Sequence, residues 1–172
     1  MKAALILIFS LFTMTAFSQD LNRKMQDAIR NKEVLIDRCD RAGVVSFPEF
    51  KEMYDAVYPS YVPDSATTPQ LKQALSAGQK ITIVLGTWCG DSKLQVPHFL
   101  KVLDEAGFPA EKVSFVAVDG NKKAGKGLID KLAIERVPTF IVTDKKGTEL
   151  GRITEHPKQT LEKDLLAIVQ KK

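Results

Sequence analysis

Cys89 stands in the run Gly86-Thr87-Trp88-Cys89-Gly90-Asp91-Ser92-Lys93, directly after the apolar stretch Ile81-Thr82-Ile83-Val84-Leu85. A thiol is mostly protonated at neutral pH, with an ordinary pKa near ~8.5, and its thiolate is the nucleophile. A cysteine at the first turn of a helix meets unpaired backbone N–H groups and the positive end of the helix dipole, which favour the anion. Ser92, three residues on, falls on the same helical face and is a candidate hydrogen-bond donor to the thiolate. Lys93 could act similarly, whereas Asp91 suits a helix start but opposes a neighbouring thiolate. Trp88 would shield one side of the sulfur and leave the other open to a protein substrate. The chemistry that fits is disulfide exchange at a single sulfur. The plain alternative is a small, half-buried apolar residue at a strand end.

Cys39 is the other cysteine, and two are too few for a disulfide-stapled scaffold or a four-ligand zinc site. It is a candidate resolving thiol for Cys89 if the two Cα atoms come within ~7 Å. Otherwise it packs on the apolar stripe of its own element. His98 lies about half a turn out of phase with Cys89 along a helix, a poor position for a base. His156, beside Pro157, reads as a surface residue. No metal cluster and no Ser/His/Asp set is visible, and no cofactor is called for. Gly120-Asn121-Lys122-Lys123-Ala124-Gly125-Lys126-Gly127 nearly spells a phosphate loop, but Gly127 occupies the Ser/Thr position. Asp40 to Phe50 echoes half of a calcium-binding helix-loop-helix. With Gly43 at the sharp turn, Arg38 and Ala42 fall where acidic ligands belong, so a helix-turn-helix corner is the better reading.

The elements that must position Cys89 follow from the apolar pattern. Asp20 to Ala42 reads as an amphipathic helix, with Leu21, Met25, Ile29, Leu35, Ile36 and Cys39 near the 3.6 period and Gly43 as its stop. Pro48 to Val57 reads as a second helix, and the turn-rich segment Tyr58 to Ser65 marks a boundary. Thr68 to Ala77 is expected to be helical, with Pro69 at its start. Ile81 to Leu85 is a strand buried on both faces, and Asp91 to Ala106 a helix containing Pro97. Val113 to Val118 is a strand, Lys122 to Leu132 a helix and Thr139 to Thr143 a strand. Asp144-Lys145-Lys146-Gly147 turns into a strand from Glu149 to Thr154, and Pro157 starts the last helix. The order implies an α/β protein with a central mixed sheet and helices on both faces.

The chain of 172 residues accommodates one ordinary domain and an extension. Residues 1–18 read as a signal peptide: Lys2, an apolar run, then Ala16-Phe17-Ser18 as the cleavage pattern. The run falls short of the ~20 apolar residues of a membrane span. The expected organisation is a signal peptide over 1–18, a helical extension over 19–63 and a main domain over 64–172, in an exported protein, periplasmic or secreted. The formal charge of +4 is spread along the chain without an arginine-rich patch or interleaved aromatics, so nucleic acid is not an expected partner.

The segment Trp88-Cys89-Gly90-Asp91-Ser92-Lys93, then Pro97, then Ile134-Glu135-Arg136-Val137-Pro138-Thr139-Phe140 resembles the thioredoxin family over residues 66 to 172. The chain looks like an exported bacterial thioredoxin-like protein with a single-cysteine active-site motif. The resemblance implies a thioredoxin-like fold in which Pro138 is a cis proline facing Cys89. It also implies that the backbone at Val137 and Pro138, with Trp88 and Gly90, binds an extended substrate peptide. Ser92 stands where the family's resolving cysteine is expected, and Ile83 where many members keep a buried acid. An internal dithiol cycle is therefore closed to this chain. Monothiol exchange with protein or low-molecular-weight disulfides is the expected activity, of the isomerase or adduct-removal type. The competing expectation is a non-catalytic thioredoxin-fold module that holds peptides in the same groove.

Overall fold

The uninterrupted apolar run after Lys80 becomes the middle strand of a five-stranded sheet. In the computed structural model, residues 21–75, 78–125 and 127–171 are described; the signal segment and the end of the helix expected to reach Ala77 lie outside them. The strands are β1 (Lys24–Asp27), β2 (Lys32–Leu35), β3 (Asp37–Cys39), β4 (Lys80–Leu85), β5 (Val113–Ala117), β6 (Thr139–Thr143) and β7 (Glu149–Thr154). The helices are α1 (Arg41–Ser46), α2 (Pro48–Val57), α3 (Thr68–Ala74), α4 (Gly90–Glu105) and α5 (Leu161–Val169). The main sheet has the order β3-β5-β4-β6-β7, and β1 and β2 form a separate hairpin. Only β4 and β5 run parallel, joined through α4; the other pairs are antiparallel. Ile83 lies opposite Phe115 on one side and Phe140 on the other, and Cys39 lies opposite Phe115.

Strand alternation splits the sheet into two faces. Ile81, Ile83, Leu85, Phe115 and Phe140 join the larger core with Phe50 of α2, Leu71 of α3, Phe99 and Leu103 of α4 and Leu165 of α5. Phe99 stacks on Phe140 with ring centroids 4.2 Å apart. Val84, Val116 and Ile141 face the other way, under Val118, Ile129 and Val137. The helices thus contribute to one core, while the segment between β5 and β6 covers the second face without a helix.

That segment corrects the helix expected over Lys122 to Leu132. Lys122, Gly127 and Ala133 all have positive φ, and Asp119 folds the chain back by accepting N–H bonds from Asn121 and Lys123 at 2.9 and 2.8 Å. A second correction falls on the helix expected over Asp20 to Ala42, which is the β1–β2 hairpin followed by edge strand β3. Asn22, Asn31 and Asp37 adopt positive φ there, a conformation that breaks a right-handed helix and that Asn and Asp tolerate. Leu21 and Ile29, two members of the supposed apolar stripe, are exposed. The extension is therefore helical only from Arg41 onward, and β3 is an integral strand of the main sheet. Gly43 does not stop a helix. It lies in the first turn of α1, where an added Cβ would come within 2.0 Å of the Asn22 side chain. The last helix begins at Leu161, capped by Thr160 accepting from the Lys163 N–H at 3.3 Å, not at Pro157. The corner between α1 and α2 at Phe47 agrees with the helix-turn-helix reading.

Candidate functional site

Leu85 ends β4, and the chain turns through Gly86 to Cys89, whose N–H donates to the Gly86 carbonyl at 2.9 Å. Cys89 has extended backbone angles, and α4 begins immediately after it, with the Lys93 N–H donating to the Cys89 carbonyl at 3.0 Å. The sulfur therefore sits at the N-terminal end of a 16-residue helix whose first turn has no side-chain cap. Cys89 is a half-buried free thiol. An added Cβ at Gly90 would meet nothing within 4 Å, so the flank beside the sulfur is open.

The Val137–Pro138 bond is cis. The Cys89 Sγ lies 3.3 Å from the Val137 carbonyl oxygen, a contact that fits the thiol donating its proton. The loop behind that carbonyl is held on three sides. Thr139 Oγ1 donates to the Arg136 carbonyl at 2.6 Å, the Glu155 N–H donates to the Pro138 carbonyl at 2.8 Å, and Arg136 pairs with Glu155 at 2.7 Å. Val137 and Pro138 are buried.

Trp88 lies across Gly86, where an added Cβ would approach the indole Cε2 to 2.6 Å. Its Nε1 donates to the Val118 carbonyl at 2.9 Å. Ser92 is fully buried, and its Oγ accepts the Gly86 N–H at 3.2 Å. Its recorded partner is thus the active loop's backbone and not the thiol, which makes it a brace of the turn that presents Cys89. Lys93 points to Glu49 of α2 at 3.8 Å, a carboxylate that also holds Lys32 at 2.6 Å. His156, expected on the surface, reaches the helix start: its Nε2 lies 3.4 Å from Asp91 Oδ1 and its Nδ1 3.3 Å from Gln95. His98 stacks on Tyr61 at 4.2 Å, and burial pulls its pKa below the ordinary value, against the opposing charge of Glu162.

Cys39 is not brought to this site. It lies in the larger core, whereas Cys89 packs against the smaller cluster on the other face. Strands β3 and β4 are separated by β5, which puts Cys39 about 10 Å from Ile83 at ordinary strand spacing, and Cys89 lies beyond the far end of β4. Burial pushes the Cys39 thiol up to about 11.

Three residues of the site were not legible in the sequence. Thr87 is buried and its Oγ1 accepts the Leu35 N–H at 3.2 Å, tying the active loop to the end of β2. Asp27, at the end of β1, is buried and accepts the N–H groups of Ile29 and Arg30 at 2.8 and 2.9 Å, and that of Gly120. Arg30 places its guanidinium 3.9 Å over the Trp88 ring. A Thr beside the Trp-Cys pair could have drawn attention; Asp27 and Arg30 were hidden inside a segment misread as helix. The glycine-rich stretch also changes meaning. Its Gly120 and Gly125 N–H groups donate to Asp27 and Asp37 respectively, so carboxylates of the chain itself occupy two of the donors that a phosphate would need. Among the described residues no group of three or more His, Cys, Asp or Glu is placed to hold a metal, and no helix is long and apolar enough to cross a membrane.

A mixed sheet whose central strand delivers a cysteine to a helix start, facing the carbonyl that precedes a cis proline, defines a thioredoxin-like protein. A model of the family described as thioredoxin matches residues 48–167, and the chain belongs to that family. The match begins in α2, inside the segment expected to be an extension. Among solved structures, the chain is similar to a protein of unknown function from Pseudomonas aeruginosa, with a TM-score of 0.55 and 20% identity over 76% of this chain and 91% of that one. It is also similar to an HIV epitope-scaffold, with a TM-score of 0.53 and 21% identity over 76% of this chain and 92% of that one. At such identities the likeness is one of fold. No curated protein matches the chain.

Proposed function

We propose that the protein performs monothiol thiol–disulfide exchange through Cys89 in an exported compartment, where disulfides persist. The observation that carries this reading is the half-exposed Cys89 sulfur at the start of α4, 3.3 Å from the Val137 carbonyl. Once Cys89 loses its proton to solvent, the thiolate attacks one sulfur of a substrate disulfide. The substrate S–S bond breaks, the leaving sulfur departs as a thiolate, and Cys89 holds the other half as a mixed disulfide. As the sulfur leaves the Val137 carbonyl, that acceptor becomes available to a backbone N–H of the bound substrate, as in strand addition. A thiolate of the substrate or of a small molecule then attacks the substrate-side sulfur and frees Cys89. One disulfide is exchanged for another, with no net oxidation or reduction. Ser92 supports the single-thiol form, because its buried oxygen braces Gly86 and the other cysteine, Cys39, lies in the larger core on the opposite face.

Intact-mass measurement after incubation with glutathione disulfide tests the reading. A single adduct should form on Cys89, disappear in Cys89→Ala, and be removed by added thiol. A chain that binds extended peptides but forms no adduct would be a non-catalytic binding module, and exchange would be rejected.

A further inference from the structure

The β1–β2 hairpin is clamped at three points, two on the loop that carries Cys89 and one on the loop after β5. The buried Asp27 carboxylate accepts the Gly120 N–H on the loop after β5, and the Thr87 hydroxyl accepts the Leu35 N–H at 3.2 Å. The third point is Arg30, whose guanidinium lies 3.9 Å over the Trp88 ring. Asp27 also accepts the N–H groups of Ile29 and Arg30. The turn that carries Arg30 is thereby fixed by a buried group and does not depend on the stacking contact alone.

Arg30 is exposed, and among the described residues its guanidinium makes no hydrogen bond. The Asp27 carboxylate accepts three backbone N–H groups, and the Arg30 charge acts on it without a side-chain hydrogen bond between the two. A guanidinium held over an indole by its cation–π contact retains its N–H donors, and their fork matches a carboxylate in two parallel bonds. The Trp88 face also removes much of the rotamer freedom that an exposed arginine would lose on binding. Among the described residues, three charged pairs lie on the first turn of α4 and on the proline loop: Asp91 with His156, Lys93 with Glu49, and Arg136 with Glu155. Arg30 is a cation held on the ring of Trp88, the residue next to Cys89 in the chain.

We propose that Arg30, stacked on Trp88 beside Cys89, is a specificity-determining residue that selects thiol and disulfide substrates bearing a carboxylate near their sulfur. The inference rests on Cys89 being the exchanging thiol. Such a carboxylate could come from a small amino-acid-derived thiol or from an acidic side chain flanking a cysteine in a peptide; Arg30 reads the shared group.

The test is the rate of Cys89 adduct formation with three disulfides of different charge: anionic glutathione disulfide, neutral 2-hydroxyethyl disulfide and cationic cystamine. The native chain should prefer the anionic over the neutral reagent, and the preference should shrink as salt is raised. In Arg30→Gln the anionic-to-neutral ratio should fall about fivefold, the size of one exposed charge pair. Arg30→Lys should recover part of the ratio, because it restores charge without the planar fork, and Arg30→Glu should favour cystamine. An unchanged ratio in Arg30→Gln, including an equal slowing with all three reagents, overturns the inference while leaving exchange at Cys89 intact. No adduct from any reagent on the native chain rejects exchange itself, and the inference with it. Disulfide-linked peptides with and without a flanking Asp identify the source. A ratio shift with the acidic peptide as large as with glutathione disulfide assigns recognition to the carboxylate in either setting. A shift with glutathione disulfide alone assigns it to the small thiol.

Discussion

At Cys89 the chemistry depends on what touches the sulfur and what does not. Its polar neighbour is the Val137 carbonyl, and the side chains once expected to assist it are turned elsewhere, Ser92 to Gly86 and Lys93 to Glu49. Under the proposed exchange, release of a mixed disulfide would come from outside the site. Cys39 cannot serve, because it lies on the opposite face of the sheet and burial raises its thiol to about 11. Cys39→Ala should therefore leave the lifetime of a Cys89–glutathione adduct unchanged, as followed by intact mass over time. A longer-lived adduct in that variant would mean that the sheet opens to bring the two thiols together.

The hairpin is the element that departs most from sequence expectation, and one of its three docking contacts is made by a buried carboxyl group. Burial pushes the Asp27 carboxyl up, but the N–H bonds from Arg30, Gly120 and Ile29 together with the Arg30 charge outweigh it. The group ends below the ordinary carboxylate range. A proton is thus bound less tightly in the folded than in the unfolded chain, whose value is about 3.9. The contribution to stability is present above that value and is lost as the pH falls through the folded one. Protection of the Ile29, Arg30 and Gly120 amides, measured as hydrogen-exchange protection factors, should stay level down to about pH 4 and fall below it. Asp27→Ala should show the same loss at neutral pH and cost about 1–3 kcal/mol in urea unfolding, because three N–H groups lose their acceptor. Unaltered protection in that variant would show that Thr87 and Trp88 hold the hairpin unaided.

Across the whole molecule, the segment before β4 is fastened to the helices around the larger core by polar links. Arg41 of α1 holds Asp104 of α4 through two bonds of 2.8 and 2.6 Å, and Tyr58 donates to the same carboxylate at 2.6 Å. Tyr61 donates to Glu162 of α5 at 2.9 Å, and the Asp64 N–H reaches the same oxygen at 3.3 Å. Glu162 is buried, and its other carboxyl oxygen has no hydrogen-bond partner among the described residues. Tyr61→Phe would remove the better of its two donors and should lower stability by about 1–3 kcal/mol in urea unfolding. No shift in the midpoint would show that solvent enters to replace the hydroxyl. The family match from residue 48 and the pairing of β3 with β5 both place residues before 64 in the body of the fold.

The sequence by itself determined the parts whose signals are local. The apolar run of β4, the helix-starting turn at Cys89, the Pro48 start of α2 and the Asp144–Gly147 turn each lie within a few residues of what causes them. The cysteine, the proline loop and the family followed from those signals and from their order. Only the tertiary structure decided the hairpin and the irregular cover between β5 and β6. Their turns are held by Asp27 on Gly120 and Asp37 on Gly125, pairs separated by 93 and 88 residues. A carboxylate that saturates distant backbone N–H groups overrides a helical spacing of apolar residues, and no local window contains both partners. The same long reach places Arg30 on Trp88, so the residue proposed to govern substrate choice became visible only when the chain was folded.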